Sequence, residues 1–184
     1  MTKTKLTATL LATLIAGTAI AQTVPMVGGA PMFPERNIVE NAVNSADHTT
    51  LVAAVQAAGL VDTLAGDGPF TVFAPVNDAF AALPQDQVAA LLEPRNRDRL
   101  VEILTCHVIA AEAFSSDIVG MIRDAGGAYP IETVGGCTFT ARMVNGRVMI
   151  EDGQGRMATV TQADVDQSNG VIHVIDTVLL PAVM

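Results

Sequence analysis

Beyond position 21 the chain offers three histidines (His48, His107, His173), two cysteines (Cys106, Cys137) and four serines (Ser45, Ser115, Ser116, Ser168) for chemistry, and no lysine. Ser168, His173 and Asp176 have the residue types of a hydrolytic triad. Their spacing excludes one: His173 and Asp176 lie three apart in an apolar run that reads as a strand, so they point to opposite faces. There is no Gly-x-Ser-x-Gly elbow and no glycine-rich phosphate loop followed by lysine. The stretch Asp164-Val-Asp166-Gln-Ser168-Asn169-Gly170 shares composition with a calcium loop. Its glycine comes one residue late and no bidentate Glu follows, so it reads as a polar turn before a strand. Neither acid pair, Glu151-Asp152 or Asp164/Asp166, lies in a run apolar enough to raise a carboxyl pKa for general acid work. Adjacent Cys106-His107 is too few ligands for zinc. These negatives describe a chain without catalysis, metal or cofactor.

His107 and His173 sit inside apolar runs and read as hydrogen-bonded core residues, whereas His48, beside a helix start, is expected to be solvated. Two readings compete for the cysteines. One is a bridge closing 31 residues, worth roughly 3 to 4 kcal/mol on the chain-entropy model. The other is a pair of buried thiols. Export favours the bridge, and Gly135-Gly136 beside Cys137 would let two backbones come close.

The N-terminus carries the pattern of an exported chain. Lys3 and Lys5 precede fifteen uncharged residues, Leu6 to Ile20, and Ala19-Ile-Ala21 closes the run. This is the pattern of a cleaved signal peptide over residues 1–21, too short for a membrane span of about 20 apolar residues. No cysteine follows Ala21 to carry a lipid, and the C-terminus lacks a glycolipid-anchor tail. The remainder holds eight bases against 19 acids, a net −11. Such a charge disfavours nucleic acid and anionic lipid, and Arg95, Arg97 and Arg99 read as a solvated helix face. The product is expected to be secreted or periplasmic.

Residues 22–36, with three prolines and Gly28-Gly29, read as a flexible tether, and one domain over 37–181 follows. Asn37 and Glu40 have the spacing of a capping box. Helices are expected over Thr49–Ala58, from Asn77, over Gln85–Glu93, Arg95–Leu104 and Asp117–Ala125. Strands are expected at Phe70–Ala74, Thr105–Ala110, Met157–Thr161 and Val171–Leu180. Asn145-Gly146 predicts a two-residue hairpin pairing Met143 with Val148 and Ala141 with Ile150, with Cys137, Phe139 and those four on one apolar face. Helices first and strands later indicate an α+β domain.

Two segments carry a family resemblance. Thr71-Val-Phe73-Ala-Pro75-Val-Asn77-Asp-Ala-Phe80 and, about ninety residues on, Asn169-Gly170-Val-Ile-His173-Val-Ile-Asp176-Thr-Val-Leu-Leu-Pro181 resemble the two signatures of the fasciclin domain family. The resemblance implies a wedge-shaped β-sandwich flanked by N-terminal helices. It also implies a secreted, non-catalytic adhesion module whose partner is a cell-surface or matrix protein or polysaccharide. Some relatives bind carotenoids, so the alternative is a carrier of an apolar small molecule such as a carotenoid or lipid, with the flexible methionines as lining. Animal members have a Tyr-His pair on the middle strand and an acidic-apolar recognition segment before the second signature. Here those positions hold Cys106-His107 and Asp164-Val165, which makes His107, Asp164 and Val165 the candidate interaction residues. The signature residues themselves are expected to be structural, with His173 donating to the Pro75–Asn77 turn and Asn77 or Asp78 capping the helix that follows.

Overall fold

The computed structural model describes residues 24–182. The expected signal peptide lies outside them. Residues 22–36 are not a loose tether where they are described. Strands β1 (Met26–Val27) and β2 (Ala30–Pro31) pair across Gly28-Gly29, and Val27 and Met32 are buried in the main helical core. The proline and glycine content that suggested a tether instead builds a tight hairpin, held by Met32 N–H donating to the Pro25 carbonyl and Ala46 N–H donating to that of Gly28.

Helices α1 (Ile38–Ala42), α2 (Thr49–Ala58) and α3 (Val61–Leu64) follow. Asn37 closes the expected capping box with Glu40, and left-handed Gly59 ends α2. Strand β3 (Phe70–Pro75) leads into α4 (Asn77–Ala81), α5 (Gln85–Leu91), α6 (Arg97–Thr105), the short β4 (Val108–Ile109) and α7 (Ser115–Asp124). The expected strand over Thr105–Ala110 is mostly helix end. The Leu100, Ile103 and Leu104 stripe continues α6 to Thr105, whose Oγ donates back to the Val101 carbonyl, so Cys106 caps a helix rather than starting a strand.

The remaining strands are β5 (Ala128–Glu132), β6 (Thr138–Val144), β7 (Arg147–Glu151), β8 (Met157–Gln167) and β9 (Gly170–Ile175). Together with β3 and β4 they form one sheet in the order β4-β3-β9-β8-β7-β6-β5. The hairpin register is as expected, Met143 facing Val148 and Ala141 facing Ile150. The buried face stops short of Met143, which is exposed near the turn. Among the described strands only β3 and β9 run parallel.

β8 belongs to two leaves. Its start, Met157–Thr159, pairs with β7, and its remainder pairs with β9 through register shifts between Val160 and Val165. Such irregularities bend a strand and sharpen its twist, which turns one strand order into two packed leaves. Ile172 and Val174 of β9 face the core under α1, α2 and α6. Ile175 faces a second core with Phe73, Phe139, Ile150 and α7. β9 is therefore apolar on both sides, with every one of its residues buried. Its parallel neighbour β3 shares that position, and the two signature segments lie side by side at the centre of the molecule.

Candidate functional site: the paired signature strands

Thr71 to Pro75 and Val171 to Ile175 are partners residue by residue, with Phe73 opposite His173. At the first strand, Thr71 Oγ donates to the Ala111 carbonyl (2.6 Å) and accepts from Ala113 N–H (2.9 Å). It thereby holds the segment that leads from β4 to α7. Asn77 does not cap its own helix. Its Oδ1 accepts from Thr50 N–H (3.0 Å) and Thr49 Oγ, and its Nδ2 donates to the Ala46 carbonyl (2.8 Å). It caps α2 from outside, while α4 has no side-chain cap. The sequence could not separate these two caps, because both place an Asn at a helix entry. Phe80 packs into a small third cluster with Ile103 and Val178.

At the second strand, Asn169 reaches three places. Its Oδ1 accepts from Ile38 N–H (3.0 Å) at the start of α1, and its Nδ2 donates to the carbonyls of Leu64 (2.9 Å) and Gly66 (2.7 Å). Gly170 next to it has φ +150°, and a Cβ there would overlap the Phe70 carbonyl; only glycine lets β9 start against β3. Asp176 accepts from Thr159 N–H (2.7 Å), closing the end of β9 on β8. Pro181 follows Leu180, whose N–H donates to Asp152 (3.0 Å).

His173 is buried, its ring 5.8 Å from that of Phe73. Nδ1 accepts from Asp164 N–H (3.2 Å), so Nε2 carries the proton and donates to the Ala113 carbonyl (2.8 Å). The expected donation to the Pro75–Asn77 turn is not made; the ring donates to the Ala113 carbonyl instead, and Asp164 N–H, in the irregular stretch of β8, donates to its other nitrogen. Burial lowers its pKa, against the opposing effects of the Ala113 hydrogen bond and the Asp164 charge. The ring is neutral, and both its nitrogens are engaged with backbone.

The profile described as Fasciclin domain matches residues 46–181. The chain belongs to the fasciclin domain family. Protein sll1483 of Synechocystis is 47% identical over 144 residues, 78% of this chain and 73% of that protein. Immunogenic protein MPB70 of Mycobacterium bovis is 33% identical over 76% of this chain and 66% of its own length. The transforming growth factor-beta-induced protein ig-h3 of Sus scrofa is 37% identical over 71% of this chain, which amounts to 17% of that much longer protein. The FAS1 domain pair from the insect cell adhesion molecule fasciclin I superposes with a TM-score of 0.70 at 20% identity, covering 79% of this chain and 51% of that one. This shared fold is α+β, as expected.

Within this fasciclin domain the candidate interaction residues do not form an exposed patch. His107 is buried, with Nδ1 donating to the Ile103 carbonyl (2.8 Å) and Nε2 accepting from Leu179 N–H (2.9 Å). Burial drives its pKa down to about 4. Val165 is fully buried in the helical core. Asp164, in the left-handed region at φ 58°, spends its two oxygens on Ser115 N–H and Oγ at the start of α7. Among the basic residues of the Arg95–Arg99 face, Arg97 is not simply solvated: its Nε donates to the Ala58 carbonyl at the end of α2 (3.0 Å).

Cys106 and Cys137 form the disulfide, with a Cα separation of 5.4 Å. Gly135 is what makes room. A Cβ there would stand 2.7 Å from Cys106 N and 2.9 Å from its sulfur. The bridge joins the end of α6 to the start of β6, and so the helical layer to the hairpin layer.

Two features of the domain were not visible from residue types. His48, expected in solvent, is buried, with Nδ1 2.8 Å from Ser45 Oγ. Asp152 is buried as well and accepts from the guanidinium of Arg156 and the N–H groups of Gln154, Arg156 and Leu180. Burial pushes its pKa up, but these hydrogen bonds outweigh it and hold the carboxyl below its usual value. The Asp152-Gly-Gln-Gly-Arg156 spacing, a tight turn with an acid and a base at its ends, was the available signal. Among the described residues no group of three or more His, Cys, Asp or Glu is placed to hold a metal, and no helix is long and apolar enough to cross a membrane.

Proposed function

We propose that this domain is a secreted or periplasmic interaction module, without catalysis, that binds a protein or polysaccharide at the cell surface or in a surrounding matrix. The observation that carries the reading is how the signature side chains are used. Thr71, Asn77, Asn169, His173 and Asp176 direct their hydrogen bonds to neighbouring backbone. They build a scaffold and leave recognition to its surface. The disulfide supports an oxidising compartment, and the same fold occurs in an insect cell adhesion molecule. With eight bases against 19 acids beyond position 21, the partner's contact surface is expected to be basic or neutral.

The test has two readouts on one preparation. Mass spectrometry of native protein should find the chain starting at or near Gln22 in the exported fraction. Labelled purified protein should bind the surface of the producing cells saturably, and salt should weaken that binding. Cytoplasmic protein retaining Met1, or binding that never saturates, would contradict the reading.

A further inference from the structure

Between α1, α2 and the inner faces of β3 and β9 lies a cavity of about 210 Å³. Its walls are almost wholly apolar, including Ile38, Leu51, Val55, Val72, Val108 and Ile172. It reaches the surface near Val43, which is 52% exposed, and Gln56. One polar group inside it is unaccounted for. His48 lines the cavity and is 2% exposed, and its Nε2 has no hydrogen-bond partner among the described residues. The Ala74 carbonyl lies near enough to the ring to raise its pKa, yet makes no hydrogen bond of acceptable geometry to Nε2. Native proteins rarely leave such an atom unpaired.

Water is a poor occupant. A buried water needs two to four polar partners. The other buried polar side chains on the wall are already engaged, Ser45 with His48 Nδ1 and His107 with Ile103 and Leu179. An apolar cavity of about 150 Å³ accepts benzene, so this one has room for roughly eight heavy atoms. That is a small fraction of a carotenoid or a long acyl chain. Burial lowers the His48 pKa, so at pH 7 the ring is neutral and suits a neutral group better than an anion. Which ring nitrogen holds the proton depends on Ser45, and a hydroxyl, able to donate or accept, satisfies either form.

We propose that this cavity binds a compact, mostly apolar molecule bearing one hydroxyl, roughly eight heavy atoms in size, with that hydroxyl bonded to His48 Nε2. The site narrows the carrier expectation to small alcohols and phenols. It is independent of the surface-interaction reading, since an internal ligand and an external partner use different parts of the domain.

The probes are 4-methylphenol and toluene, which differ by the hydroxyl alone, titrated into the purified protein by calorimetry. 4-Methylphenol should bind with a 1:1 stoichiometry and about tenfold more tightly than toluene, the preference one buried hydrogen bond confers. His48→Phe should erase that preference while toluene still binds. A readout on the unaltered protein guards against a misfolded variant: saturating 4-methylphenol should shift the His48 ring resonances and leave those of His173 in place. Equal binding of the two probes, binding of neither, or a His48 ring that does not respond would overturn the proposal.

Discussion

Asn169 shows how much one side chain can hold. It satisfies the first N–H of α1 and two carbonyls around the end of α3, while its own carbonyl accepts from Phe70 N–H. The residue is 6% exposed, so water cannot readily replace what it supplies. Removing one partner from a buried hydrogen bond costs more than the bond's net worth, because the group left behind stays desolvated. Asn169→Ala strands one donor and two acceptors. It should cost about 3 kcal/mol, read as a lower urea midpoint with an unchanged slope. A loss under about 1 kcal/mol would mean that the backbone relaxes to re-pair those groups. Asn169 was legible as a signature residue, but its three partners were not. They are more than a hundred residues away in sequence, and no local pattern encodes such a contact.

At the scale of elements, local periodicity decided what could be read. The Asn145-Gly146 hairpin and its register were legible because turn chemistry and alternation agree there. The end of α6 was not, since Thr105-Cys106-His107-Val108 is β-branched and apolar enough to suit a strand. Packing of Leu100, Ile103 and Leu104 keeps it helical through Thr105. The β1–β2 hairpin was missed for the opposite reason: two-residue strands carry no periodicity, and only the burial of Val27 and Met32 reveals them. The cap that Asn77 provides for α2 belongs at this scale too. Asn77→Ala should destabilise the domain by about 1 kcal/mol, and Asn77→Asp, which keeps the acceptor for Thr50 N–H, should recover part of it. Equal losses for both would show that the bond from Nδ2 to Ala46 matters more than the cap. The disulfide ties α6 to β6 across 31 residues. Replacing both cysteines by alanine should cost about 2 to 4 kcal/mol in thermal or urea unfolding. Thiol titration of the unfolded, unreduced parent should find no free thiol.

The whole molecule combines a large negative charge with buried histidines, and the two pull its pH dependence in directions that must be compared. Lowering pH from 7 towards the isoelectric point near 4.5 reduces net charge, which suggests relief of self-repulsion and a gain in stability. The histidines point the other way. His48, His107 and His173 all have pKa values lowered chiefly by burial, that of His107 to about 4. The unfolded chain takes up protons at each near 6.5 while the folded chain does not, so the unfolded state binds more protons and stability falls as pH falls. The contribution is fully present above about 6.5 and is lost progressively down to about 4. From His107 alone the loss at pH 5 is about 2 kcal/mol. Carboxylates are mostly still ionised at pH 5, so relief of repulsion contributes little over this interval. Asp152 enters later: its lowered pKa adds stability above about 3.8 that disappears only as pH falls through its folded value. The histidine effect therefore wins between pH 7 and 5. The urea midpoint should drop over that range even as the protein approaches its isoelectric point, and the His107 ring resonances should stay those of the neutral form until near pH 4. A midpoint that holds steady or rises, or a His107 ring that titrates near 6.5, would show that protons reach the ring without opening the fold.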